Sequence, residues 1–347
     1  MKYYLWAFTL LLSLMACNNR DVVNESENED PAANMDVEHK KKVSVIFDTD
    51  ANNELDDQHA LAYLLLNGET FNVRGITVNA TPSGGEIQNH YDEALRIMKL
   101  CKAEGNIPLY NGANANFTEI ENSLDQPDFD GHEAVDFIIE EALNHTDEKL
   151  VLIPVGKLTN IALALKKQPS IIDHIRIVWL GSNYPEPGEY NQNSDVPSMN
   201  YVLASRAPFE MVTVRYGHPS GTGAVVISQN DINSRMPGKG PKIETPITGR
   251  HGGEYATFGD YSISLFEHIH YDDEAKNRAL FDLAAVAIVK NPLWAENYQH
   301  PCPKYVDGTW IEQPQNERTI TIWENFNRAA IIADLFATLD HPVFVTR

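Results

Sequence analysis

Apolar runs without polar alternation recur along the chain, and helix-spaced apolar positions fill the gaps between them. Val43, Val45, Ile46 and Phe47 form a β-branched and aromatic run that stops at Asp48-Thr49-Asp50, and after a polar turn Ala60, Leu61, Leu64 and Leu65 recur at helical spacing. That stretch predicts a buried strand, an acidic loop and a helix. Phe71 to Val78 (FNVRGITV) predicts a second strand, Ile87 to Cys101 an amphipathic helix and Gly131 to Leu143 another. Leu150 to Val155 and Ile175 to Leu180 are continuous apolar runs, the pattern of central parallel strands covered on both faces. Leu158 to Leu165 is helical between them, and Phe209 to Val214 repeats the strand signal. Strands separated by helices need right-handed crossovers, so the expected fold is α/β, a doubly wound, mostly parallel sheet with helices on both faces and a Rossmann-like core. Ligands of such sheets bind beyond the carboxyl ends of the strands.

The first residues do not fit this scheme. Tyr3 to Leu14 is an apolar run too short to span a membrane comfortably, and Leu14-Met15-Ala16-Cys17 closes it with small residues before a cysteine. The pattern resembles a bacterial lipoprotein signal, which implies cleavage before Cys17, a lipid on that cysteine and anchoring to a membrane; an ordinary signal peptide with a cysteine nearby is the plainer reading. Asn18 to Lys42 is polar and acid-rich with little to bury, the composition of a disordered acidic tether. The expected organisation is therefore 1–17 signal, 18–42 tether and 43–347 one folded domain, exported and held in a bacterial envelope, at its periplasmic face or the cell surface.

Charge narrows the partners. The net charge of −22 argues against nucleic acid, because phosphate binding needs a basic face. Apart from Cys17 the only cysteines are Cys101 and Cys302, so a disulfide between them is open but no framework is expected, and neither sits in a CxxC or His-rich zinc pattern.

Candidate chemistry gathers at the expected strand ends. Asp48, Asp50, Glu54, Asp56 and Asp57 crowd one loop, and like charges at close quarters repel by several kcal/mol at an effective dielectric of about 20. Either a cation sits among them or some are protonated, since capping the following helix needs only one acid. The second strand ends at Asn79, the central one at Val155-Gly156, and the fifth at Gly181-Ser182-Asn183, before a proline-rich loop carrying Glu189 and Asn191. Phe281-Asp282 opens a late apolar helix, where Asp282 is either a helix cap or a further ligand.

With those residues in place, the DTD…DD start, GITVN, LIPVGKLTNIALAL, the GSN…GEYN loop and FDLAAVA together resemble the inosine–uridine-preferring nucleoside hydrolase family, over about Val43 to at least Val289. The resemblance implies one calcium ion at the base of a deep pocket and hydrolysis of the N-glycosidic bond of ribonucleosides. Carried over, it implies that Asp50 is both a calcium ligand and the base that activates water, with Asp57, Asp282 and the carbonyl of Val155 as further calcium ligands. Asp56, Asn79, Asn183, Glu189 and Asn191 would hold the ribose hydroxyls. It also implies homo-oligomers. Oxygen-only ligation suits a hard cation, and carboxylates around the sugar suit an oxocarbenium-like transition state.

Two departures from the family pattern stand out. Five residues, Ala51 to Leu55, separate Asp50 from the paired acids where the family usually has three, and Glu54 in that longer turn is a rival metal ligand. Phe281 stands where inosine–uridine members often carry a histidine that protonates the leaving base; purine-preferring members place an aromatic there, so Phe281 either stacks on the base or packs in the core. His132 is either near the pocket or structural, and the stretch His251 to Tyr261 is either a mobile lid or a fixed loop feeding the next helix. Two other classes remain open: a haloacid dehalogenase-type phosphatase with Asp48 as nucleophile, and a lipoprotein that binds nucleosides or ribose without turnover.

Overall fold

The computed structural model describes residues 41–145, 148–271 and 274–346. The expected signal sequence with Cys17, and the expected tether up to residue 40, lie outside the described residues.

Strands β1 (Val43–Thr49), β2 (Phe71–Val78), β3 (Leu109–Asn111), β4 (Leu150–Pro154), β5 (Ile175–Leu180) and β6 (Phe209–Val212) form the body of one eight-stranded sheet. Its order from one edge is β3, β2, β1, β4, β5, β6, then Thr319–Glu324 and Glu296–Pro301. All pairings are parallel except that of the edge strand Glu296–Pro301 with Thr319–Glu324. The expected doubly wound, mostly parallel sheet is therefore present, with the C-terminal pair added at one edge.

Each strand ends where the sequence changes from apolar to polar, and side-chain alternation splits the core into two layers. Val45 and Phe47 of β1 pack with helix α1 (Asp56–Leu65) and with the helices Phe258–Glu267, Phe281–Lys290 and Arg328–Asp340. Ile46, one residue out of phase, faces the other layer, with the helices His132–Asn144, Thr159–Lys167 and Val196–Ala204. Helix α1 is buried along its whole length, so each of Leu61, Leu64 and Leu65 contributes about 1.5–3 kcal/mol by leaving water. Cys101 lies in the first layer and Cys302 in the second, both as free thiols, which closes the disulfide question.

The strand order 3-2-1-4-5-6 reverses direction between β1 and β4, and the crevice beyond the carboxyl ends at such a reversal is where doubly wound sheets bind ligands. Asp48 of β1 stands opposite Pro154 of β4 and Thr77 of β2, so Asp50 and Val155 emerge side by side at that point.

Candidate functional site

The two helices that follow the acidic segments bring their N-termini together. Asp56 and Asp57 occupy the first turn of α1, and Asp282 that of Phe281–Lys290. Leu55 and Leu280 are the capping residues of these helices and neither end has a side-chain cap, so the acids are not spent on capping. The carboxylate oxygens of Asp56, Asp57 and Asp282 reach within 4.8 Å of one another, and all three side chains are buried. With Asp50, Val155, Glu189 and Asn191 they line a cavity of about 350 Å³ at the switch point. Phe281, Tyr216, Tyr190, Asn53, Glu54, Ser83 and Arg278 also line it, with Leu180 and Val214. A larger cleft of about 700 Å³ between α2 (Ile87–Leu100) and Ile243–Thr248 has no comparable convergence of acids.

Each acid is held. Asp50 accepts from Thr81 Oγ1 at 2.5 Å, and Asp57 from Thr49 Oγ1 at 2.5 Å. Glu189 accepts from the backbone N–H groups of Ser182 at 3.0 Å and Gln192 at 2.8 Å, capping the short helix Tyr190–Ser194. Asn191 donates to the carbonyls of Val155 at 2.6 Å and Leu180 at 3.1 Å. Behind them Asp48, 1% exposed, accepts from Thr77, Asn79 and Asn160 at 2.6–2.7 Å. Such a saturated, buried carboxylate supports the loop and is not free to attack a phosphate, which removes the phosphatase reading.

Electrostatics make the cluster expensive without a cation. Burial, reinforced by the neighbouring charges, raises Asp56 to about 7, and burial raises Glu189 to about 7 against its three backbone hydrogen bonds. Asp57 and Asp282 are pushed well above the usual carboxylate range by burial first, and next by the charges of Asp50 and Asp56 on Asp57 and of Asp56 and Asp57 on Asp282. Asp50 is raised by burial, with Thr81 opposing. Cations in the neighbourhood are engaged elsewhere: Arg278 pairs with Glu54, and Lys157 Nζ donates to the Ala115 carbonyl at 2.8 Å and Asn116 Oδ1 at 3.0 Å. A buried, all-oxygen donor set in this state fits a hard divalent cation.

The remaining sequence expectations fall as follows. Asn79 lies behind Asp50, with its amide nitrogen on Asp48 and its Oδ1 buried without a partner; a Cβ on Gly156 would stand 2.8 Å from that oxygen and 2.9 Å from Asp50. Asn183 lines an adjoining cavity with Arg215, Tyr216 and His218, accepting from the Tyr216 N–H at 2.8 Å. Phe281 lines the acid pocket and meets Tyr216 edge to face, with ring centres 5.8 Å apart, while its partly buried ring also packs against the first core layer. Glu54 turns away from the acids to Arg278. His132 binds the carbonyl of Phe129 at 3.0 Å, a helix-start contact. Thr257 caps the helix Phe258–Glu267, and buried Tyr261 donates to Glu93 at 2.7 Å, so the second half of His251–Tyr261 is fixed. Tyr216 and Arg278 have no signal in the sequence beyond following a strand end and preceding Asp282.

The profile of the inosine-uridine preferring nucleoside hydrolases matches residues 45–344. The chain belongs to that family. Among characterised sequences, this nucleoside hydrolase family member is 32% identical over 138 residues to the pyrimidine-specific ribonucleoside hydrolase RihB of Escherichia coli, a match covering 33% of this chain and 44% of RihB. The chain spans about a third to a half of the length of the curated relatives it matches. A plant nucleoside hydrolase superposes with a TM-score of 0.67 at 16% identity, covering 87% of this chain and all of that one. The purine-preferring ribonucleoside hydrolase of Gardnerella vaginalis gives 0.64 at 22% identity, covering 85% and 98%. These likenesses establish the nucleoside hydrolase fold.

Proposed function

We propose that the protein hydrolyses the N-glycosidic bond of ribonucleosides, releasing ribose and a free base, with calcium as its metal. The observation that carries this reading is the meeting of the buried carboxylates of Asp56, Asp57 and Asp282, within 4.8 Å of one another, in a pocket at the topological switch point that Asp50, Val155, Glu189 and Asn191 also line.

Asp50, Asp57, Asp282 and the Val155 carbonyl would hold the calcium, whose chemistry when bound is to favour deprotonation of water near neutral pH. Asp50 would take a proton from the attacking water as it adds to the anomeric carbon. The C1′–N bond breaks with its electron pair leaving on the base nitrogen, and the base afterwards takes a proton from solvent. Asp56, Glu189 and Asn191, which line the pocket, hold the ribose hydroxyls, and their oxygens stabilise the positive charge that spreads onto the ring in the transition state, while Asn183, the other expected sugar contact, lines the adjoining cavity. Asn79 serves from behind Asp50, and its unpartnered Oδ1 is the free acceptor there. Phe281 stacks on the base.

The sequence of residues 1–17 supports lipidation at Cys17 and placement of this activity at an envelope membrane, acting on nucleosides outside the cytoplasm; family membership supports a homo-oligomer. A nucleoside panel with purified protein, with and without calcium, tests the activity: ribose release that needs calcium is expected, and no release from any nucleoside would remove the reading. Calorimetry showing tight nucleoside binding without turnover would favour the binding lipoprotein instead.

A further inference from the structure

The longer β1–α1 turn does not supply a metal ligand; it holds an arginine. Glu54 at its tip forms an ion pair with Arg278, their side chains 41% and 18% exposed. The same turn is braced from outside by Arg250, whose guanidinium donates to the carbonyls of Asn52 at 3.0 Å and Glu54 at 2.6 Å. Two arginines from different segments thus fix two bonds' worth of backbone and one carboxylate of a single loop.

Arg278 sits on the short strand Asn277–Ala279, three residues before Phe281, and lines the acid pocket with Phe281 and Tyr216. One edge of its guanidinium is taken by Glu54, while its Nε is buried and has no hydrogen-bond partner among the described residues. A buried guanidinium N–H without an acceptor is costly, and burial already lowers the proton affinity of this group. Because Arg278 lines the pocket, a bound ligand that carries an acceptor is a partner this N–H can take.

Resting on the activity proposed above, we infer that Arg278, positioned by Glu54, donates a hydrogen bond to the departing nucleobase and stabilises the negative charge that the base gains as the C1′–N bond breaks. Phe281 has no proton to donate, the Tyr190 hydroxyl is engaged with Ser83, and Asn53 Nδ2 is on Asp50. Arg278 keeps its own proton, as a guanidinium does, so the electron pair stays on the base until solvent protonates it. The substrate class this favours is a nucleoside whose base presents an acceptor, a ring nitrogen or an exocyclic oxygen, at the pocket mouth.

The test compares leaving groups. The wild type and the variants Arg278→Gln, Arg278→Lys, Glu54→Gln and Tyr216→Phe are assayed on inosine and uridine and on p-nitrophenyl riboside, whose leaving group needs no assistance. Arg278→Gln is expected to lower the ratio of nucleoside kcat to nitrophenyl-riboside kcat about 100-fold. Glu54→Gln lowers it less, and Arg278→Lys restores part of it by keeping the charge. Equal losses on both substrate types, or a ratio that moves with Tyr216→Phe and not with Arg278→Gln, overturns the assignment. Should Arg278→Gln fail to fold by circular dichroism, the ratios of Arg278→Lys and Glu54→Gln decide: unchanged ratios in both overturn it. A wild type that cleaves nitrophenyl riboside but no nucleoside refutes the parent activity and leaves Arg278 with no base to serve, which is told apart from a failure confined to the variants.

Discussion

The side-chain amide of Asn191 donates to the carbonyl of Val155 at 2.6 Å and to that of Leu180 at 3.1 Å, tying the ends of β4 and β5 together at the floor of the pocket. Val155 follows β4 at the switch point, so the orientation of its carbonyl, with one lone pair still open, depends on a residue from the next crossover.

Asn191→Ala should therefore act on both stability and chemistry. Leaving two buried carbonyls without their donor costs about 1–3 kcal/mol, to be read from a denaturant titration. Nucleoside kcat/KM should fall at least tenfold; a variant as stable and as active as the wild type would show that the Val155 carbonyl needs no such support.

Asp50→Asn should lower kcat by about 10²–10⁴-fold, the range for loss of a general base. Because the same change removes one charge from a buried anionic cluster, the metal-free variant should melt no lower than the metal-free wild type. Unchanged turnover with bound calcium would dismiss Asp50 as the base.

Stripping metal should make stability depend on pH with a defined sign. Asp56 moves from 3.8 to about 7 and Glu189 from 4.5 to about 7 in the folded state, so the metal-free fold binds more protons than the unfolded chain between about pH 4 and 7. Stability from these groups is fully present below the unfolded values and is lost as pH rises through about 7. The melting temperature of chelator-treated protein should fall over that window, and calcium at pH 7.5 should restore it. A melting temperature that is flat from pH 4.5 to 7, with no response to calcium, would contradict a cation site at these acids.

Phe281→Ala should raise KM for nucleosides by up to about tenfold, the equivalent of an aromatic contact of 0.5–1.5 kcal/mol, with a smaller effect on kcat. The Tyr216 ring that meets Phe281 edge to face loses its neighbour in that variant, so tyrosine fluorescence should shift alongside KM. A pure loss of stability with unchanged KM would return Phe281 to a packing role.

Much of this molecule was legible in the residues alone. Continuous apolar runs located β4 and β5, and β-branched runs ending in polar residues located β1 and β2, because strands covered on both faces bury most of their side chains and the loops after them had to carry the polar groups. Asp50, Asp57 and Asp282 could be picked out for the same reason: acids at the ends of apolar segments have no structural use that needs so many of them. Of the two C-terminal strands, Glu296–Pro301 was not legible, since an edge strand exposed to solvent resembles a loop; Thr319–Glu324 lies inside the sheet with Ile320 and Ile322 buried, and its place there was set by tertiary pairing.

Tertiary structure decided which of the equivalent acids meet. In sequence Glu54 is closer to Asp50 than Asp57 is, yet the turn of α1 aims Asp56 and Asp57 at the N-terminus of Phe281–Lys290, while Glu54 pairs with Arg278. Asn183 and Asn191 likewise share one loop but line different cavities, because Asn191 is drawn to carbonyls at two strand ends and Asn183 to the backbone of Tyr216. The sequence by itself determined that an anionic pocket lies beyond the strands of a doubly wound sheet, through burial and periodicity. Which side chains close it was set only by long-range packing, since hydrogen-bond and ion-pair partners distant along the chain leave no period to read.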